Sequence, residues 1–391
     1  PLGAAARAAP QHPAWRHPDS GDAFYPAERD GVVFDSFPLR VVYERGRTGF
    51  EETKDFPMKM DTVVAARFRM MEYLGSASFS HAVKCLDLRT NKLVCMKIIK
   101  NDKDTLDQSI DEIKLLRIIK ANTEDIDAKC CLDLIDYFYF KEHLIIVTEL
   151  LRENLYEFSR ANREHGEPPF FTLGRLQRLS RQVLVALEYV HGLSLIHADL
   201  KPENILMKSH SRCEVKLIDF GSSCFTGDYL TSYVQSRSYR APEVILGLPY
   251  DQKIDVWSLG CVLAELWTGY MLFQNDSVQS LLARMAGILG PFPPRMLASG
   301  RQAHRYFTPE GLLFCLAEPT PEAGAFPALQ PRRATLFHPK RSSLRQRMRT
   351  EDEGFLGFLS ALLRLDPEER PAASQALQHP WLSKGRYPDG L

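Results

Sequence analysis

The sequence predicts an α+β fold in which a strand-rich N-terminal part precedes a longer, mainly helical part. Three observations carry this expectation. Residues 67–99 read as three short apolar strands joined by tight turns. Leu176, Leu179, Val183, Leu187 and Val190 form one apolar stripe at helical spacing. Within the helical part, Ile205-Leu206-Met207 and Val215-Lys216-Leu217-Ile218 flank a polar segment and read as strand, turn and strand.

The chain has 391 residues, room for one large or two ordinary domains. Its 49 basic and 49 acidic residues cancel, so no electrostatic argument favours nucleic acid or an anionic membrane as partner. Eight cysteines lie scattered, at Cys85, Cys95, Cys130, Cys131, Cys213, Cys224, Cys261 and Cys315. None forms a C-x-x-C pair, which argues against a zinc site or disulfide framework and for a reducing compartment, the cytoplasm or nucleus. The longest helical apolar run, Val256 to Trp267, is interrupted by Ser258 and Glu265 and is too short to span a bilayer. No signal peptide is visible, and a monomer is expected.

In chain order, residues 1–30 are rich in Ala, Pro and His without periodicity and are expected to be disordered. Residues 31–67 gain apolar side chains and read either as an extended arm packed on the next domain or as an exposed linker. The strands of the first domain follow, with a turn at Gly75-Ser76-Ala77-Ser78-Phe79-Ser80. A helix is expected from Thr105 to Lys120, because Ile110, Ile113, Leu116 and Ile119 recur every three or four residues. Strands are expected at Cys131–Phe140 and Leu144–Thr148, and helical structure from Asn154. Residues 291–350 carry many Pro and Arg and little periodicity; helices are expected to resume at Gly354 and run to Trp381, leaving 383–391 as a tail. Arg332-Arg333 and Lys340-Arg341 read as solvated loop charge rather than docking signals.

The stretch Leu195–Gly221, LIHADLKPENILMKSHSRCEVKLIDFG, concentrates the chemistry. A tight hairpin after Asn204 and before Asp219 brings those two side chains near each other, with hard oxygens suited to Mg2+. Asp199 precedes the first strand and is placed to accept a proton from an incoming hydroxyl. A base beside a phosphate-bound metal is the arrangement phosphoryl transfer needs. The rival is a chance hairpin in some other α/β fold, and the joint spacing of His197, Asp199, Lys201, Asn204 and Asp219-Phe220-Gly221 argues against it.

This stretch resembles the catalytic and magnesium loops of eukaryotic protein kinases. The resemblance implies a bilobal fold, with a small lobe and hinge at 68–151, a large lobe at 152–382 and an insert at about 291–350. It implies that ATP and Mg2+ are used. Asp199 would be the base, Lys201 would neutralise the transferred phosphoryl group, and Asn204 and Asp219 would hold Mg2+. Lys97, in Val94-Cys95-Met96-Lys97, would hold phosphates with a helix glutamate; Asp111 and Glu112 compete for that role, and family register favours Glu112. Leu74, Gly75, Ser76, Ala77, Ser78, Phe79, Ala82, Cys95, Leu206 and the hinge residues Glu149 and Leu151 would contact ATP, with Thr148 guarding the back pocket. An ordinary linker would have the same hinge composition. Ala77 and Ser80 replace two usual glycines, which would stiffen the loop and weaken its grip on ATP. His197 would brace the loop, Asp255 would accept its amides, and Glu243 would pair with Arg370.

Ser222-Ser223-Cys224, Tyr233-Val234-Gln235-Ser236-Arg237 and Arg47-Thr48-Gly49-Phe50-Glu51 resemble the dual-specificity tyrosine-phosphorylation-regulated kinases. The Leu74-Gly75-Ser76 turn and the Ser238-Tyr239 pair look closest to their plant and algal branch. By that resemblance Tyr233 is phosphorylated by the kinase itself, with Arg237 and Arg240 as its cationic clamp. Other substrates would be proteins with Ser/Thr targets, an arginine upstream recognised by Glu203, and a proline just after. Two rivals stand beside this: a pseudokinase scaffold without chemistry, motivated by the depleted turn and by Ala198 in place of the usual arginine, and a kinase of small molecules.

Overall fold

The computed structural model describes residues 27–29, 32–47, 55–77, 79–166, 168–228, 234–274, 276–316 and 334–383. Ser78, Tyr233, Arg332-Arg333, part of the Arg47–Glu51 run, residues 1–26 and most of the expected tail therefore lie outside it. The chain divides into two compact units, one ending at Leu150 and the other running from Leu151, with 129–131 belonging to the second.

The first unit is built on a seven-stranded sheet of order β3-β8-β9-β7-β6-β5-β4. Its strands are β3 (Val41–Val42), β4 (Val63–Val64), β5 (Phe68–Ser76), β6 (Ser80–Asp87), β7 (Lys92–Ile99), β8 (Leu134–Phe140) and β9 (His143–Glu149). Alternation sets the core: Val83 and Cys85 of β6, Val94, Met96 and Ile98 of β7, and Phe68 and Met70 of β5 bury one face, with Phe68 stacked on Phe138 at 5.8 Å. Between β7 and β8 lies helix α1 (Lys103–Ala121), capped by the Asp102 carboxylate, which accepts the Thr105 amide at 3.1 Å.

Two expectations need correction here, and one open alternative is narrowed. Residues 27–29, expected disordered, form strand β1, paired with β2 (Val32–Phe34); the intervening Asp30-Gly31 is a dipeptide hairpins favour. The arm-or-linker alternative resolves to an arm: β3 pairs in parallel with β8, Val41 opposite Tyr139. The strand expected from Cys131 starts only at Leu134, because Cys130 takes a left-handed φ of 53° and turns the chain; Cys131 bridges Leu217 of the second unit instead.

The second unit holds α2 (Leu155–Glu164), α3 (Leu173–Gly192), β10 (Leu195–Ile196), the hairpin β11 (Ile205–Ser209) and β12 (Glu214–Leu217), β13 (Cys224–Phe225), α4 (Pro242–Leu246) and α5 (Lys253–Thr268). The predicted stripe is the buried face of α3. Helix α5 is buried almost all round and runs close to the C-terminal helices: a Cβ on Gly260 would sit 2.8 Å from Leu363. Among the described residues no helix is long and apolar enough to cross a membrane.

The 291–350 region has more order than its composition suggests. It carries α7 (Pro294–Ser299) after α6 (Val278–Leu289), the paired strands β14 (Phe314–Leu316) and β15 (Ala334–Leu336), and α8 (Leu344–Met348). Helix α8, capped by Ser343, starts ahead of the expected Gly354, and α9 (Glu353–Leu362) and α10 (Ala373–Ala376) do not form one continuous run to Trp381. Pro367 and Pro371 lie in the gap between them, where a proline ring blocks a continuing helix.

The Glu243–Arg370 pair is fully buried and bidentate, at 2.5 and 2.9 Å, and the guanidinium also lies over Trp257 at 5.1 Å. Removing one partner strands the other charge in the core. Arg370→Ala is therefore expected to destabilise the second unit by about 3–5 kcal/mol, measured by denaturant unfolding; a loss under about 1 kcal/mol contradicts this reading.

Candidate active site

In the first unit, the period of β7 places Lys97 on the face opposite Met96 and Ile98. Its ammonium reaches both carboxylate oxygens of Glu112, at 2.9 and 2.8 Å, and Glu112 is buried on α1. Asp111, the rival, is exposed and pairs with Lys114 at 2.6 Å.

The turn between β5 and β6 is closed by the Ala77 amide on the Ser80 carbonyl at 2.9 Å. Gly75 takes a φ of 155°, whereas neither Ala77 nor Ser80 is among the left-handed residues. At the described positions only the retained glycine meets a conformation that resists a side chain, so the two replacements do not strain this turn. Leu74 and Phe79 are exposed on it, and Ser76 is the last residue of β5. Gly75, Ala82 and Lys97 stand in register across β5, β6 and β7. Cys95 pairs in register with Thr148; burial pushes its thiol up to about 11, against the opposing effects of Lys97 and a Thr148 hydrogen bond. Glu149 holds Asp133 through its amide (3.1 Å) and its carboxylate (2.8 Å). The division between the units falls after Leu150, inside the expected hinge, with Leu151 the first residue of the next unit.

In the second unit, the loop after β10 is fixed from below by Asp255 of α5. This carboxylate is wholly buried and accepts the amides of His197 (2.8 Å) and Ala198 (2.9 Å) and the His191 Nε2 (2.9 Å). Burial alone would raise its pKa; the His191 hydrogen bond and the surrounding donors hold it below the usual carboxylate range. His197 is fully buried, pairs its Nε2 with the Ile218 carbonyl at 2.9 Å, and sits edge-on to Phe220. It braces the loop and does not present itself as a base.

Asp199 is the convergence point. Its Oδ1 accepts both the amide (3.0 Å) and the hydroxyl (2.8 Å) of Ser236; its Oδ2 meets the Lys201 ammonium at 2.5 Å and the Asn204 amide nitrogen at 3.3 Å. Lys201 also reaches the Ser236 hydroxyl at 3.3 Å. Asn204 donates to the Asp199 carbonyl at 2.8 Å, so its donors are committed and its amide oxygen is the atom left to a cation. The β11–β12 hairpin pairs Ile205 with Leu217, and the Ile218 amide donates to the Asn204 carbonyl at 3.0 Å, which leaves Asp219 one residue further on, half-buried and left-handed at φ 62°. An amide oxygen and a carboxylate are the hard donors Mg2+ takes. Leu206 lies on β11, bridged to Asn154.

Several participants were not singled out from the sequence. Ser236 lies in the Tyr233–Arg237 motif, and its two bonds to Asp199 arise only in the fold. Gln235, left-handed at φ 66°, donates to Ile254 O (3.0 Å) and Ser258 Oγ (2.8 Å) and accepts the Ala241 amide (2.9 Å). Arg240 turns back onto the segment: Nε donates to the Val234 and Gln235 carbonyls (2.8 and 3.2 Å) and Nη2 to Gln235 (2.8 Å). Arg237 is exposed, and the expected Tyr233 lies outside the described residues. Tyr239 donates its hydroxyl to Glu265 at 2.7 Å. The signal for Ser258 and Glu265 was present: two polar residues inside an otherwise apolar helical run.

The protein kinase domain model matches residues 68–382, most of the chain. The chain belongs to the protein kinase family. The kinase is 38% identical over 321 residues to the probable serine/threonine-protein kinase dyrk2 of Dictyostelium discoideum, covering 82% of this chain and 33% of that protein. It is 37% identical to the DYRK-family kinase pom1 of Schizosaccharomyces pombe (86% and 29% covered) and 36% identical to human dual specificity tyrosine-phosphorylation-regulated kinase 4 (87% and 62%). The chain thus spans about a third of the first two relatives, and its kinase domain groups with the dual-specificity tyrosine-phosphorylation-regulated kinases. A solved kinase-domain structure superposes with a TM-score of 0.72 at 28% identity, over 85% of this chain and all of that one.

Ser236 is expected to hold Asp199 in its working orientation. Ser236→Ala removes one hydrogen bond to a charged group, worth about 1.5–3 kcal/mol, so turnover should fall about tenfold or more while Ser236→Thr retains it. Equal turnover in the alanine variant contradicts this role.

Proposed function

We propose that this chain is an ATP- and Mg2+-dependent protein kinase that phosphorylates serine and threonine in protein substrates. The observation that carries the reading is the Asp199 cluster, where one carboxylate is held by Ser236, Lys201 and Asn204 beside a hairpin ending in Asp219. A substrate hydroxyl would lose its proton to Asp199 as its oxygen forms the bond to the γ-phosphorus. The bond from that phosphorus to the β-phosphate oxygen breaks, and ADP leaves. Lys201 offsets charge on the transferred group. Asn204 and Asp219 would hold Mg2+, which supplies charge neutralisation at the phosphates. Lys97, fixed by Glu112, would hold the inner phosphates.

Two features support a substrate preference. Gln235 is left-handed and its carbonyl is taken by Arg240, so a substrate residue docked against it would find no acceptor there for an amide. Proline has no amide to leave unpaired and loses least at that position. Glu203 Oε2 is buried with no hydrogen-bond partner among the described residues. Close by is Glu265, whose carboxyl is pushed up by burial, with the Glu203 charge adding to that and the Tyr239 hydrogen bond and the Arg163 charge opposing it. Two acids so placed favour a cation, which supports an arginine upstream of the target. Arg237 is exposed, and Arg240 bonds the Val234 and Gln235 carbonyls. Self-phosphorylation at Tyr233, with Arg237 and Arg240 as its cations, belongs to the same proposal. So do a placement in the plant and algal branch, a monomeric state, and residence in the cytoplasm or nucleus.

The test is transfer of labelled phosphate from Mg-ATP to Ser/Thr peptides. Asp199→Asn should lower transfer by at least about 100-fold. Replacing the arginine or the following proline of a good peptide should each lower kcat/KM, and Glu203→Gln should remove the arginine preference alone. Equal transfer by wild type and Asp199→Asn would overturn the assignment.

A further inference from the structure

The geometry points to Arg117 as a positioning residue through which the arm at 36–43 sets the Lys97–Glu112 pair. It deepens the kinase reading, since it rests on that pair holding nucleotide phosphates. Glu112 lies mid-way along α1, so the rotation of α1 about its axis decides whether its carboxylate meets Lys97. Arg117 follows five residues later. At about 100° per residue it lies roughly 140° round the helix from Glu112 and about 7.5 Å along it. A grip on Arg117 therefore acts on the far side of α1 from the ion pair, where it resists rotation.

That grip is made by two rings from two other elements. The Arg117 guanidinium lies 5.3 Å from the Phe37 ring and 5.6 Å from the Tyr137 ring of β8, and its Nη1 donates to the Tyr137 hydroxyl at 2.5 Å. Phe37 and Tyr137 meet edge to face at 5.8 Å. Phe37 is held there by the register of the arm. Val41 and Val42 pair with Tyr139 and Phe140, the Tyr139 amide donates to the Arg40 carbonyl at 2.8 Å, and Arg40 pairs with Asp136. Asp136 is itself held by Arg67 at 2.6 Å, which ties the arm to β5 and β6 through Asp87. Lys120, an exposed lysine at this end of α1, also bonds the Leu134 carbonyl (2.6 Å) and Asp133 (2.6 Å). Such an exposed pair contributes little. Undocking the arm removes one of the two rings that hold the Arg117 guanidinium.

The experiment uses the full chain and compares wild type with Phe37→Ala, Phe37→Tyr, Arg117→Met and Arg117→Lys. Mg-ATP affinity, kcat/KM and hydrogen exchange across residues 103–121 are measured beside the melting temperature. Phe37→Ala and Arg117→Met should each weaken Mg-ATP binding by about three- to tenfold and speed exchange in the C-terminal half of α1. Phe37→Tyr should restore both, and Arg117→Lys, which loses the flat face that stacks on the rings, should not. In a Glu112→Gln background, Phe37→Ala should cost nothing further in affinity. The inference is overturned if Phe37→Ala binds Mg-ATP and exchanges like wild type, or if its loss persists undiminished in Glu112→Gln. A wild type that does not bind Mg-ATP would overturn the functional reading instead, while the exchange of α1 would still decide whether the arm grips the helix.

Discussion

A single buried carboxylate governs the second unit. Asp255 lies in α5 with no solvent exposure and takes three donors, the amides of His197 and Ala198 and the His191 ring. An ionised group there would be costly without such compensation. With it, the loop is locked into a shape it would not choose alone: Ala198 sits at φ 63°, a left-handed conformation that costs a non-glycine residue on the order of 1 kcal/mol. A side chain at 198 points wherever this forced turn sends it, and the next residue, Asp199, is delivered to Ser236, Lys201 and Asn204. The same loop carries His197 to the Ile218 carbonyl, so the hairpin bearing Asn204 and Asp219 is aligned by the same anchor.

The segment from Val234 to Glu243 is tied to that anchor helix by different bonds. Gln235 reaches Ile254 and Ser258, Ser258 donates to the Tyr239 carbonyl at 2.8 Å, and Tyr239 reaches Glu265. The Gln235 amide donates to the Ala198 carbonyl at 2.9 Å, joining segment and loop directly. Helix α5 is thus a rigid post carrying the base loop on Asp255 and the segment on Ser258 and Glu265. Its N-terminal end is fixed in turn by Arg370, which holds Glu243 and the Lys253 carbonyl.

The sequence made much of this legible, for reasons of local chemistry. Asp199, Asn204 and Asp219 could be found because their spacing and the apolar runs between them define a hairpin whatever surrounds it. Lys97 could be found because a lysine inside a strand needs a partner; family register favoured Glu112 over Asp111, and in the structure Glu112 meets Lys97 while Asp111 pairs with Lys114. Gln235 and Ser236 were hidden because their roles depend on contacts 19 to 37 residues away, which no local pattern encodes. Ser258 and Glu265 carried a readable signal, polar side chains in a buried helix, that was used only to argue against a membrane span. The start of β8 was misplaced because Cys130 is left-handed, a conformation composition does not announce. The depleted glycine turn suggested a stiffer loop, and at the described positions Gly75 alone takes the demanding angle, so the replacements are accommodated without strain.

The most direct test of this account is to remove half of the anchor without changing its shape. In Asp255→Asn one loop amide loses its acceptor, and hydrogen exchange at His197 and Ala198 can be read beside turnover with Mg-ATP. The account predicts that those amides lose protection and that turnover falls by about 100-fold or more, with α5 itself remaining protected. Loop amides that exchange freely in an enzyme of undiminished turnover would contradict it.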